Sequence, residues 1–389
     1  MAKPAQSAKF AAIPMLDLTR QYAPLRAEIR EAVERVIAGQ QFILGPEVEA
    51  LEHEVAAFCG AKEAIGCASG TDALWLMLAA AAVRPGDLVL TTAFSFFASA
   101  SAIARIGARP VLLDIDPHTF NLDPQAVTRY LAPGKPENFK AILPVHLYGQ
   151  CADVDALSRL STEYRLPILE DAAQAIGAQW RGRRAGSLGL AAAFSFYPTK
   201  NLSAAGDAGM VITNHPELAE HMRRLRNHGS PRRYLHDELG WNTRLDGIQA
   251  AILRVKLPHL ERWNQQRRER AAAYDLLFTQ TGLVSTDGSA PVRTPSVSPH
   301  ATHVFHQYVI RAQRRDALRE FLTARRIGSE IYYPLPLHLQ PAFTYLGYRE
   351  GDLPESELAA REVLALPMFP ELTEPEQQWV VESIAEFYS

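Results

Sequence analysis

This chain is poor in the features that announce several common kinds of protein. Cysteine is scarce: three in 389 residues, at positions 59, 67 and 151. No CxxC pair is formed, so a thiolate zinc site or a disulfide framework is not expected, and reduced buried thiols are. Excess charge of one sign is absent, with 43 acidic against 40 basic residues. No broad field therefore draws the chain to nucleic acid or to an anionic membrane. Long hydrophobic runs are also missing. Leu74 to Val83 is too short and too alanine-rich to span a bilayer, and the first ten residues carry two lysines and no apolar core, against a secretory signal. A cytoplasmic location is the expectation. No HExxH or HxxxH spacing points to a metal.

What is present is an apolar fraction of 47%, enough for a sizeable core. Up to about Ala12 the chain reads as a loose tail. From residue 64 to about 213 short apolar runs alternate with helical stretches. Strands are expected at 64–68, 88–92, 110–113, 141–145, 167–170, 191–197 and 209–213, and helices at 71–83, 97–106 and 154–164. Asp123-Pro124 has the chemistry of a helix start. Strands buried on both faces with helices between them imply an α/β layer fold with a mostly parallel sheet. Beyond residue 245 the texture changes. A long arginine-rich helix at 245–274 is broken near Pro258, and 281–301 reads as a loop. A strand at 304–310, a helix at 316–326 and a strand at 328–332 make a small α+β unit. The division expected is a large domain over 13–260 and a small C-terminal domain over 261–389.

Lys200 is the most informative residue. It ends the apolar run Phe194-Ser-Phe-Tyr-Pro-Thr-Lys200 and precedes the small-residue loop 203–209. A lysine after a strand is ordinarily a solvated charge, but this one has company. Ser69-Gly70-Thr71 lies between a strand and a helix, where unpaired backbone amides and the helix dipole receive an anion. Asp171 ends a strand; a carboxylate there can keep a pyridine nitrogen protonated. Gln174, one turn on, can hydrogen-bond a phenolic oxygen, and Ser195 adds a hydroxyl near Lys200. An amine for an aldehyde, a carboxylate for a ring nitrogen and donors for a phosphate are the needs of pyridoxal phosphate. In Phe94-Ser-Phe-Phe97, Phe96 is the residue chosen to stack on the ring. Asn242 and Arg244 suit phosphate or carboxylate recognition, and His338, in a proline-rich segment, is expected to face substrate. His146 is read as pocket lining; neither it nor His228 has an assigned role.

These segments together resemble the DegT/DnrJ/EryC1/StrS family of pyridoxal phosphate-dependent sugar aminotransferases. The likeness runs from about Ile13 to Phe387. It includes Gln41-Phe-Ile-Leu-Gly-Pro46, the SGTDAL stretch at 69–74, Val145 to Gln150, Glu170 to Gln174, Phe194 to Asn201, Trp241 to Asp246 and Leu337 to Pro341. The resemblance implies the fold type I (aspartate aminotransferase-like) architecture and a homodimer with shared sites. It assigns Lys200 to the covalent link with the cofactor, Asp171 to the ring nitrogen and Gln174 to the phenolic oxygen. Gly70, Thr71 and Ser195 would hold the phosphate, with Asn242 reaching in from the partner, while Arg244 and His338 would touch substrate. Phe96 stands where some relatives have tryptophan or tyrosine. A deoxygenating branch replaces the lysine by histidine, and Lys200 puts this chain outside it. L-glutamate is the implied amino donor. A keto-sugar on a nucleoside diphosphate, either a UDP-linked N-acetyl sugar or a dTDP-linked deoxysugar, is the implied acceptor, and the Tyr-Pro-Leu-Pro-Leu-His-Leu-Gln segment resembles the branch acting at C3; the alternatives are amination at C4 of a nucleotide sugar or of a keto-inositol, and a regulator that keeps the fold without catalysis.

Overall fold

The computed structural model describes residues 12–132, 134, 138–285 and 289–389. The expected N-terminal tail up to residue 11, and residues 286–288 of the expected loop, lie outside them. Two helices precede the first strand, α1 (Leu18–Gly39) and α2 (Pro46–Cys59), neither anticipated from the sequence. Asp17 caps α1 by accepting from the Thr19 amide at 3.0 Å. Leu25, Ile29, Ala32 and Val36 form its buried stripe. Their spacing of four, three and four residues puts them on one helical face.

The alternation then follows as β1 (Glu63–Cys67), α3 (Gly70–Ala80), β2 (Leu88–Thr92), α4 (Ala98–Arg105), β3 (Arg109–Leu113), α5 (Pro124–Leu131), β4 (Phe139–Leu143), α6 (Val154–Tyr164) and β5 (Leu169–Asp171). A short ribbon of β6 (Gln179–Trp180) and β7 (Arg183–Arg184) leads to β8 (Ala191–Ser195) and β9 (Gly209–Thr213). Hydrogen bonding gives the orders β1-β9-β8-β5 and β3-β2-β4. Parallel bridges from Ile142 to Ile168 and from Val145 to Asp171 join β4 to β5. The result is one sheet, β3-β2-β4-β5-β8-β9-β1, in which β9 alone runs antiparallel to its neighbours. The mostly parallel expectation holds, and fold type I is the architecture. Helix α3 is apolar on nearly every side and buried from Ala73 to Ala80. It packs on β8, whose alanines 191–193 allow a close approach.

The chain continues with α7 (Pro216–Leu225), α8 (Gly247–Lys256) and α9 (Leu260–Gln280). The long helix is indeed interrupted at Pro258, where one 3-10 turn, Leu257–His259, separates α8 from α9. The small unit comprises β10 (Val292–Arg293), β11 (Ala301–Thr302), β12 (Tyr308–Ala312), α10 (Arg315–Ala324), α11 (Pro354–Glu362), β13 (Val363–Leu366) and α12 (Glu374–Tyr388). Its antiparallel sheet is β10-β12-β13, while β11 pairs with β6.

Two expectations need correction. The strand set at 304–310 starts at Tyr308, because Val304 to Gln307 bonds instead to the loop at 148–149. The strand set at 328–332 is only a bridge, Glu330 to Ala365. Ile13 pairs with Ile327 and packs among Phe278, Leu318 and Ile384, so the first described residues lie on the small unit.

Candidate active site

The six parallel strands end their carboxyl termini along one edge, where ligands bind in open α/β sheets. Four such ends carry the candidate residues: β1 before Ser69, β2 before Phe94, β5 at Asp171 and β8 at Ser195. The antiparallel β9 starts at the same edge, since Gly209 is in register with both Cys67 and Ser195.

Helix α3 begins at Gly70, one residue earlier than expected, with Ser69 as its cap. The Ser69 hydroxyl accepts from the Asp72 amide at 3.1 Å. The amides of Gly70 and Thr71 are left without intrahelical acceptors. A Cβ on Gly70 would stand 2.5 Å from the Ser195 Cβ, and one on Gly209 would stand 2.2 Å from the Ser69 carbonyl oxygen. These two glycines let the helix start, the end of β8 and the start of β9 converge. Sequence reasoning named the first and only noted the second within its loop. The result is a cradle of two amides and the hydroxyls of Thr71 and Ser195, which fits a phosphate.

Asp171 is buried and receives hydrogen bonds from the Ser99 hydroxyl at 2.7 Å and the Ala173 amide at 3.2 Å. Burial pushes its carboxyl above the ordinary value, opposed by Ser99, Ala173 and the Lys200 charge. The Ser99 hydroxyl also meets the Ser95 hydroxyl at 2.9 Å. Sequence reading missed both serines, although Ser95 just before α4 and Ser99 in its first turn, four residues apart, were the available signal. Lys200 is half-buried. Desolvation lowers its amine to about 8, with the Asp171 charge acting the other way. The two groups thus feel each other across the crevice.

The Gln174 side chain accepts from the Tyr148 amide at 2.7 Å and donates to the Tyr333 hydroxyl at 3.1 Å. Tyr333, from the small unit, was not anticipated. Its ring lies 6.2 Å from that of Phe96, and burial raises its hydroxyl pKa. Phe96 is 57% exposed while Phe94 is fully buried, so Phe96 is the free aromatic face and Phe94 belongs to the core.

The remaining candidates divide. Arg244 pairs by backbone with Cys67 and donates to Asn227 Oδ1 at 2.9 Å, beside the start of the cradle. Asn242, two residues earlier, is exposed. His338 does not face an open crevice. It is 2% exposed, with Nε2 on Glu357 at 3.1 Å and its ring near Tyr348. A substrate-facing role is not available to it in this arrangement; it ties the proline-rich segment to α11. His146 is likewise no pocket liner. Its Nδ1 accepts from the Ala152 amide and its Nε2 meets Glu170, which also accepts from the amides of Gly186, Leu188 and Gly189. Among the described residues no group of His, Cys, Asp and Glu could hold a metal, and no helix is long and apolar enough to cross a membrane.

A "pleiotropic regulatory protein" of Geobacillus stearothermophilus is 54% identical over 97% of this chain and 98% of its own length. The dTDP-3-amino-3,4,6-trideoxy-alpha-D-glucose transaminase of Streptomyces venezuelae is 44% identical over 96% of each chain. A crystal structure of S. venezuelae DesV in complex with a ketimine intermediate superposes with a TM-score of 0.92 at 43% identity, covering 97% of this chain and 99% of that one. Pyridoxal phosphate is the cofactor these comparisons support, and the cradle, the buried acid and the depressed lysine suit it. The family model of the DegT/DnrJ/EryC1/StrS aminotransferases matches residues 24–385, and with Lys200, Asp171 and the Gly70 cradle in place the chain belongs to that family.

Proposed function

We propose that the chain moves an amino group from L-glutamate to C3 of a keto-sugar carried on a nucleoside diphosphate, working as a homodimer. The observation that carries this reading is that Lys200, within electrostatic reach of the buried Asp171, follows strand β8, whose end at Ser195 abuts Gly70 in the phosphate cradle. Support for C3 comes from the Streptomyces transaminase, whose product bears a 3-amino group.

Pyridoxal phosphate, when bound, supplies an electron sink through its protonated ring. Gly70, Thr71 and Ser195 would hold its phosphate, Asp171 its ring nitrogen, Gln174 its phenolic oxygen and Phe96 one ring face. Asn242 of a second copy would reach the phosphate. The other residues of the site determine protonation. Asp171, held between the Ser99 hydroxyl and the Ala173 amide, presents a carboxylate whose charge a cationic ring nitrogen would stabilise. Lys200, freed as a neutral amine, takes the proton from Cα of glutamate and, in the second half of the cycle, returns one to C3 of the sugar. Arg244 offers a guanidinium for an anionic group of either substrate.

The test uses the purified chain with pyridoxal phosphate. Lys200→Ala should abolish both the borohydride-stable cofactor label and transamination, and a variant that still turns over would overturn the lysine assignment. Assays of dTDP-3-keto, UDP-3-keto-N-acetyl, 4-keto and keto-inositol acceptors with glutamate should show C3 acceptors preferred. Preference for a 4-keto sugar or a keto-inositol would move the reading to that branch. The Geobacillus relative's name raises a regulatory reading, in which the fold senses cofactor or sugar. Loss of the lysine-bound visible absorbance on adding glutamate favours the enzyme, and absorbance that persists favours the sensor.

A further inference from the structure

Beneath Lys200 runs a buried chain of side chains that the functional reading leaves unused. His306 Nδ1 lies 3.2 Å from Asn201 Oδ1. Asn201 Nδ2 donates to Asn264 Oδ1 at 2.8 Å and to the Val304 carbonyl at 3.1 Å. Asn264 Nδ2 donates to the Ile176 carbonyl at 3.0 Å. Asn201, Asn264 and His306 are all buried, at 3, 0 and 8% exposure.

The direction of every bond in this chain is forced. A carbonyl oxygen only accepts, so Val304 and Ile176 fix which end of each amide is nitrogen. Asn201 Nδ2 has two hydrogens and both are used. Its oxygen therefore faces His306 and can only accept, so His306 must donate from Nδ1. The imidazole is then the Nδ1–H tautomer with Nε2 bare. It is also neutral: burial, Lys200, Arg267 and His303 all drive its pKa well below the ordinary value.

The ends of the chain give it meaning. Asn201 follows Lys200 directly. Ile176 is two residues from Gln174, and a Cβ on Gly177 would meet Asn264 Nδ2 at 2.5 Å. His306 is held by Arg267, whose Nη1 donates to the carbonyls of Phe305, His306 and Met368. The chain of bonds thus connects the Lys200 turn and the Gln174 turn, on adjacent strands, to helix α9 and to the segment entering the small unit.

We propose that His306 is a positioning residue for Lys200: its Nδ1–H, committed to Asn201, fixes the turn that aims the lysine amine at the cofactor's aldehyde carbon. This rests on the reading of Lys200 given above. Replacing the donor by an apolar group leaves Asn201 Oδ1 buried without a partner, so the side chain is held at its nitrogen end alone and the turn loosens. The amine then spends less time in line for attack.

His306→Asn and His306→Leu separate donation from bulk, because the asparagine amide nitrogen can stand near the position of Nδ1. The apoproteins are mixed with pyridoxal phosphate, and covalent attachment to Lys200 is followed by absorbance and borohydride trapping. His306→Leu should slow attachment by about tenfold or more, and lower kcat with little change in the KM for glutamate. His306→Asn should stay within about threefold of the parent chain. Thermal melting of the apoproteins checks that both remain folded. Unchanged attachment in His306→Leu, or an equal loss in His306→Asn, overturns the proposal. If His306→Leu fails to fold, 15N spectra of histidine-labelled protein decide, with His306→Asn identifying the signal. A protonated Nδ1 sustains the proposal and a protonated Nε2 overturns it. Failure of the parent chain itself to attach cofactor would overturn the Lys200 reading instead.

Discussion

At Lys200 burial and charge pull in opposite directions, and burial wins. The Asp171 carboxylate favours the ammonium, yet desolvation takes the amine from an ordinary 10.5 to about 8. Only the neutral amine attacks an aldehyde. The rate of cofactor attachment to the apoprotein should therefore rise about tenfold per pH unit below 8 and level off above it. A stopped-flow pH series checks this, and a midpoint near 10 would mean that the amine lies in water. The sign for stability follows from the same shift. Between about 8 and 10.5 the unfolded lysine holds its proton and the folded one does not, so this group's penalty to folding is removed as pH rises through that window. Asp171 is displaced the other way. Its charged form is disfavoured by folding, and binding a cation at the ring-nitrogen position would reverse that.

At the scale of elements, the site depends on how closely α3, β8 and β9 approach one another. Gly70→Ala places a methyl group 2.5 Å from the Ser195 Cβ and 3.0 Å from its Oγ. Alanine is the better helix former by about 1 kcal/mol, so helix propensity alone predicts a gain. The contact decides the outcome, because Ser195 sits on a sheet strand that cannot retreat. The variant should stay folded and bind pyridoxal phosphate about tenfold or more weakly, measured by equilibrium dialysis. Unchanged affinity would show that the cradle is not built by this approach. The same elements show what the sequence discloses. Strand ends bearing Asp171, Ser195 and Ser69 were readable because strands buried on both faces are continuous apolar runs. Asp171 and Lys200 were readable because their chemistry is paired. Helices α1 and α2 were passed over although Asp17 and Pro46 mark their starts. In 328–332 only Ile331 and Tyr332 are apolar, adjacent rather than alternating, and they pack against the clusters of both units, which leaves room for one bridge and no strand. Ser99, Tyr333 and His306 act through partners 72, 159 and 105 residues away in the chain, a distance no local pattern spans.

At the scale of the whole molecule, the surface near the site is not finished. Tyr234 and Leu239 are 83 and 94% exposed with Asn242 open just after them in sequence, and Ile43, bridged to Asp246, is 50% exposed. Solvated aromatic and aliphatic side chains gathered on the segment that carries a phosphate-binding candidate suit a face covered by a second copy. A twofold contact is isologous, so each copy would lend the other the same residue. Mixing two defective chains tests this directly. Lys200→Ala has no amine, and Asn242→Ala lacks the amide proposed to cross the interface. If Asn242 acts across the interface, a mixed dimer holds one site with both defects and one with neither. Unfolding and refolding an equimolar mixture makes half the dimers mixed, each with one of two sites intact, so about a quarter of parental activity should return. If Asn242 serves its own chain, every site in the mixture keeps a defect. Activity then stays at the average of the two variants measured apart, and the shared-site reading fails.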